Sequence, residues 1–162
     1  MNFFRAHVLI CGGTGCTSAS SDKIEAKFVQ ELEKNNLRKE IKVVRTGCFG
    51  LCEAGPIVIV YPEGSFYSHV RVEDVDTIVK EHLLKGRIVK NLLYKEAVQD
   101  NTIKSINEVD FYKKQKRIAL QNCGVINPED INEYIAYDGY MALGIALTEM
   151  TPDEVIGCIK DS

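Results

Sequence analysis

Two hydrophobic periods alternate along the N-terminal half of the chain. Residues 7–10 carry the apolar run Val8-Leu9-Ile10, which ends on Cys11-Gly12-Gly13, the pattern of a buried strand entering a Gly-rich turn. Over 22–36 the apolar positions Ile24, Phe28 and Leu32 recur every four residues among Lys and Glu, and Asn35-Asn36 close the segment. That spacing predicts an amphipathic helix. Residues 41–46 are rich in β-branched side chains and end at Gly47-Cys48; a second such run, 57–61, follows Gly55-Pro56. Pro62-Glu63-Gly64-Ser65 is turn chemistry, so 66–70 is expected to fold back as a hairpin partner. Val72, Val75, Val79 and Leu83 then mark a helix stopped by Lys85-Gly86.

The order strand, helix, strand, strand, strand, helix makes the first two strands parallel through a right-handed crossover and the last two antiparallel. This α/β order resembles a thioredoxin-like mixed sheet, expected over 1–92. Beyond it, 93–108 reads as a linker and 109–162 as a short all-helical segment. A helix is expected over 109–121, with Phe111, Ile118 and Leu120 as its apolar members. Asn127-Pro128-Glu129-Asp130 suggests an N-cap at Asn127, proline at the first helical position and a stop at Gly139. Residues 140–150 continue the helical pattern, and Thr151-Pro152-Asp153-Glu154 reads as a capping box. These stripes are short, so the tail is expected to need a surface to pack on.

Composition adds exclusions. Hydrophobic residues make up 45% and charged residues 27% of the 162, values ordinary for a folded chain rather than a disordered one. The longest apolar runs fall far short of the roughly 18 residues of a membrane span. Residues 1–7 lack the build of a signal peptide, and a cytoplasmic protein is expected. Net charge is −3. Through Leu92 there are 13 basic and 11 acidic residues, and after it 7 and 12, so no basic footprint for nucleic acid stands out. The run Lys113-Lys114-Gln115-Lys116-Arg117 reads as a solvated helix face, and His7, His69 and His82 as surface or core residues.

Six cysteines in a chain without a secretion signal point to metal or redox chemistry rather than a disulfide framework. Four fall in two Gly-rich loops, as Cys11-x4-Cys16 and Cys48-x3-Cys52, which meet if both loops leave the same end of the parallel strand pair. Four thiolates could hold a 2Fe-2S cluster, with Gly12, Gly13, Gly15, Gly47 and Gly50 letting backbone amides approach sulfur, and Thr14, Thr17 and Thr46 adding hydroxyls. Structural zinc uses the same ligands, more often at Cys-x2-Cys spacing, and thiol–disulfide exchange also favours that spacing. The plant-type ferredoxin spacing is different. Cys123 and Cys158 sit among apolar neighbours and read as small buried hydrophobes.

Cys11-Gly-Gly-Thr-Gly-Cys16 together with Thr46-Gly-Cys48-Phe-Gly-Leu-Cys52-Glu-Ala-Gly-Pro56 resembles the thioredoxin-like 2Fe-2S ferredoxins. The stretch Ile57-Val-Ile-Val-Tyr-Pro-Glu-Gly64 and His82-Leu-Leu-Lys-Gly86 is similar to the version fused to the front of flavin-containing subunits of NADH dehydrogenases and of NAD(P)-dependent, often electron-bifurcating, iron-only hydrogenases. Gln115-x-Arg117-Ile-Ala-Leu-x-Asn122-Cys-Gly-Val-Ile126 and Thr151-Pro-Asp-Glu-Val-Ile156 resemble the helical lead-in to that subunit's flavin domain. The resemblance implies a 2Fe-2S cluster on Cys11, Cys16, Cys48 and Cys52, single-electron transfer, and partner subunits in a multi-subunit oxidoreductase or hydrogenase. Because the chain ends at Ser162, before the family's flavin loop, FMN, NAD and 4Fe-4S are expected only in a full-length parent subunit. The alternative reading is a zinc-holding structural or interaction module.

Overall fold

The computed structural model describes residues 4–95, 109–123 and 125–162, and of Phe111 only the backbone. Most of the linker expected at 93–108 lies outside the described residues. Those residues divide into two compact units between Val125 and Ile126, beyond the domain end expected at Leu92.

In the first unit β1 (Ala6–Cys11) is followed by α1 (Thr14–Ser18) and α2 (Ser21–Lys34). Strand β2 (Ile41–Thr46), a 3-10 turn (Cys52–Ala54), β3 (Val58–Tyr61) and β4 (Ser65–Tyr67) come next. Helix α3 (Asp74–Thr77) then widens into a π-type turn over Ile78–Leu84. Sheet order is β2-β1-β3-β4, with β1 and β2 parallel and both other pairs antiparallel. This is the crossover and hairpin that the periodicity predicts.

Strand side chains alternate between sheet faces. Val8 and Ile10 enter one core with Ile24, Phe28 and Leu32 of α2 and Val75, Ile78 and Val79 of the last helix. Each of these large side chains contributes about 1.5–3 kcal/mol by leaving water. Phe28 is wholly buried, and Phe28→Ala would cost about 3–5 kcal/mol. The alternate residues Leu9 and Cys11 enter the second core with Val44, Ile59 and Phe66. Among the described residues no long helix joins that core. Phe49, Val109 and the partly buried Tyr94 and Tyr112 pack there instead, which is why the first unit runs past Leu92.

The helix expected over 109–121 is only α4 (Asp110–Lys113). No apolar residue follows at the next helical positions, Lys114 and Gln115, and Ile118 and Leu120 are exposed, so no stripe holds a longer helix. The second unit holds α5 (Ile131–Ala136), α6 (Met141–Thr148) and α7 (Pro152–Asp161). The cap expected at Asn127 falls instead on Asp130, whose carboxylate accepts from the Asn132 N–H at 3.0 Å. Asn127 closes a local turn, its side-chain oxygen accepting from the Glu129 N–H at 3.1 Å. The Thr151–Glu154 capping box forms as its sequence predicts. Among the described residues no helix is long and apolar enough to cross a membrane.

Candidate metal centre

Parallel register decides where the cysteine loops meet. Cys11, the last residue of β1, stands opposite Thr46, the last of β2, so both strands release their Gly-rich loops at one edge of the sheet. The edge is sewn by main chain: the Gly12 N–H donates to the Thr46 carbonyl at 2.9 Å, and the Cys11 N–H to the Ile57 carbonyl at 3.1 Å. The first loop turns at once into α1, which carries Cys16; the second passes through Cys48 and reaches Cys52 at the 3-10 turn.

The four thiols stand as two neighbouring pairs, Cys11 beside Cys16 and Cys48 beside Cys52, and a Cβ on Gly13 or Gly15 of the first loop would meet Cys48 or Cys52 of the second. Among the described residues, no three His, Cys, Asp or Glu side chains gather as a site for one ion. Cys11 and Cys16 are buried, whereas Cys48 and Cys52 reach the surface. Burial pushes the Cys16 thiol up to about 12, and the neighbouring Cys11 pushes the same way. Charge on Cys48 raises Cys52. Thiols this close resist ionising together unless a cation shares their charge, which is what ligated iron supplies.

The cradle between the loops has the shape such a group needs. A Cβ on Gly13 would lie 2.9 Å from the Cys48 sulfur, and one on Gly55 2.8 Å from the Cys16 sulfur, so main chain is drawn against both pairs. Gly50 has φ of 83°, which L side chains rarely adopt, and its N–H donates to the Cys48 sulfur at 3.3 Å. Of the hydroxyls expected to help, Thr17 is engaged elsewhere: it donates to the Gly12 carbonyl at 3.4 Å and accepts from Arg45 Nη2 at 2.9 Å. The Arg45 guanidinium thereby places positive charge at the first loop.

Three further side chains reach the second loop. The Tyr112 hydroxyl donates to the Phe49 carbonyl. Cys123 Sγ lies 3.2 Å from the Cys48 carbonyl as its donor, partly exposed rather than buried as its neighbours suggest. Arg117 stacks its guanidinium 5.0 Å from the centre of the Tyr112 ring and donates to the Cys123 carbonyl at 3.0 Å, so this member of the basic run is not simply solvated. Cys158 is exposed, again contrary to its apolar sequence neighbours. Contacts spanning 63 and 75 residues leave no trace in local spacing; a tyrosine and a cysteine on a polar segment were the only signal.

A thioredoxin-like sheet with paired thiols at one edge is the layout of a candidate cysteine-ligated redox or metal centre on an α/β frame. The profile of the thioredoxin-like 2Fe-2S ferredoxin family matches residues 3–83, and the chain belongs to that family. The chain is 47% identical over 77 residues to a 2Fe-2S ferredoxin of Clostridium pasteurianum, a match covering 48% of this chain and 76% of that one. Over 50 residues, 31% of this chain, it is 56% identical to the NADP-reducing hydrogenase subunit HndC of Solidesulfovibrio fructosivorans, of which the match covers 10%. Its structure is similar to the crystal structure of the wild-type thioredoxin-like 2Fe-2S ferredoxin from Aquifex aeolicus, with TM-score 0.52 and 31% identity, covering 57% of this chain and 99% of that one. Membership implies a 2Fe-2S cluster and electron transfer, and the two thiol pairs, the glycine cradle and the N–H aimed at sulfur fit such a group.

Proposed function

We propose that Cys11, Cys16, Cys48 and Cys52 ligate the 2Fe-2S cluster, and that the chain relays electrons as the N-terminal module of an NAD(P)H-linked flavoprotein subunit of a hydrogenase or NADH dehydrogenase. The observation that carries the ligand set is the pairing of four thiols at one sheet edge. When bound, the cluster supplies a one-electron couple. The residues do the rest: Cys11 and Cys16 seat one end out of water, while Cys48 and Cys52 keep the other at the surface, where a partner's redox centre can approach. Amides and the Arg45 guanidinium offset charge that grows on reduction.

The match to a hydrogenase subunit supports the parent complex, since the matched segment sits within a multi-subunit enzyme's component by its name. Partners are then the other subunits of such a complex, with the exposed thiol pair facing them. A free-standing ferredoxin, as in the Clostridium relative, is the second reading.

Anaerobic purification tests the ligand set and cluster together. A reddish-brown protein with about two irons and two labile sulfides per chain is expected; a colourless zinc protein would overturn the reading in favour of a structural module. Adding the chain to a hydrogenase flavoprotein subunit stripped of its own N-terminal domain should let NAD(P)H reduce the cluster. A cluster that accepts electrons from dithionite but not from that subunit would favour the free-standing ferredoxin.

A further inference from the structure

The peptide between Phe49 and Gly50 carries two hydrogen bonds of different purpose. Its N–H end donates to the Cys48 sulfur at 3.3 Å, and its carbonyl end accepts from the Tyr112 hydroxyl. Gly50 is exposed, so water competes for that N–H, and a flexible loop would leave the bond to sulfur intermittent. Tyr112 removes that freedom from the far end of the same rigid plane. It is itself held: the Arg117 guanidinium stacks on its ring, Arg117 fastens the Cys123 carbonyl, and Cys123 donates to the carbonyl of Cys48. Two consecutive carbonyls of the ligand loop are thus fixed by one segment 63 to 75 residues away in the chain.

We propose that Tyr112 is a positioning residue for the cluster: through the Phe49–Gly50 peptide it aligns the Gly50 N–H on the Cys48 sulfur and so raises the reduction potential. An N–H directed at a ligand sulfur favours the reduced, more negative cluster, and a hydrogen bond accepted by a peptide's carbonyl strengthens the donor at its other end. This rests on Cys48 being a ligand. Cys123, on the neighbouring peptide, holds the loop without touching the N–H that meets sulfur.

The test compares the full chain and Tyr112→Phe, both loaded anaerobically, by redox titration of the reduced cluster's electron paramagnetic resonance signal. Removing the hydroxyl should lower the equilibrium constant for reduction by about three- to tenfold, a negative shift of up to about 59 mV for one electron. Iron and sulfide content should stay at the wild-type level. Resonance Raman bands of the Fe–S(Cys) bonds should also lose part of their deuterium sensitivity. An unchanged potential with unchanged bands would overturn the proposal. Loss of the cluster from Tyr112→Phe would overturn it too, since the hydroxyl is assigned to potential and not to assembly. Failure of the ligand assignment looks different: with Tyr112 in place, Cys48→Ser would then keep a normal cluster.

Discussion

Gly13 and Cys48, from two different loops, approach so closely that a methyl group on the glycine would sit 2.9 Å from the cysteine sulfur. The contact leaves no room for even alanine unless Cys48 moves. Gly15, two residues on, is different: a Cβ there would meet Cys52 at an ordinary 3.6 Å and would favour α1, in whose first turn it lies. Gly13→Ala should therefore lose most of its iron and sulfide, while Gly15→Ala should retain the wild-type content. Equal loading of the two variants would mean that the loops do not meet as described.

Single replacement of Cys11, Cys16, Cys48 or Cys52 by Ser should abolish or greatly weaken the visible spectrum, because each removes a thiolate from a pair. Cys158→Ser should leave the spectrum intact, as that side chain is exposed on α7. Cys123→Ser should also keep it, since a hydroxyl can still donate to the Cys48 carbonyl. Loss of the cluster in Cys123→Ser, or a normal cluster with an unaltered spectrum in Cys48→Ser, would require another ligand set.

How much of this could be read beforehand follows from range. The runs around Val8, Val43 and Ile59 alternate or cluster with strand periodicity, and Ile24, Phe28 and Leu32 keep helical spacing, so element type and pairing follow from short-range signals. The two cysteine pairs were legible because each lies within one loop and each loop ends a strand. Tyr112 and Cys123 were not, because their partners Phe49 and Cys48 are remote in sequence and the bonds are to main chain, which carries no residue signature. The tail misled at Asn127 for a related reason: Asn127 and Asp130 both suit a cap, and only the turn geometry chooses Asp130.

Away from the cysteines, Tyr67 centres a buried relay. The Glu63 carboxylate can only accept, so His82 Nε2–H donates to it at 3.0 Å; in the neutral imidazole this leaves Nδ1 to accept from the Tyr67 hydroxyl at 2.8 Å, while that hydroxyl accepts from the Val89 N–H at 3.2 Å. Burial pushes the Tyr67 hydroxyl up to about 12, so it stays a donor throughout the neutral range. Tyr67→Phe keeps the ring but strands two buried partners, at a cost of about 1–3 kcal/mol for each left unsatisfied. A drop of about 2 kcal/mol in urea unfolding is expected. No change would mean that water or a local shift replaces the hydroxyl.

Glu31 on α2 is held by two ammonium groups, Lys27 Nζ at 2.8 Å and Lys34 Nζ at 2.7 Å. Hydrogen bonds from Lys27 and then Lys34 lower its carboxyl from the usual 4.5 to about 2. A carboxyl depressed on folding stabilises the native state above its unfolded value, and this contribution disappears as pH falls from about 4.5 through about 2. Carboxyl carbon NMR shifts should accordingly show no Glu31 inflection as pH is lowered from 6 through the ordinary glutamate range, about 4.3. An inflection near that value would show the lysines to be too mobile to matter.

The last expectation concerns the second unit. Its helices are well marked locally: Asp130 caps α5 and a complete capping box opens α7. Caps contribute only about 1 kcal/mol each, however, and short helices depend on burying an apolar face. Here Leu147 and Ile159 are 75% and 73% exposed, and Ile131, Ile135, Met141 and Leu143 are also more than half exposed. Helix α6, Met-Ala-Leu-Gly-Ile-Ala-Leu-Thr, is apolar on nearly every side, a composition that belongs in an interior. Residues 131–159 should therefore exchange their amide protons quickly in a monomer and become protected only when the chain self-associates or meets a partner, while β1 and β3 stay protected throughout. Hydrogen exchange on the cluster-loaded chain, with its mass fixed by light scattering, decides it: strong protection of α6 and α7 in a proven monomer would show that these exposed side chains find cover within a single copy.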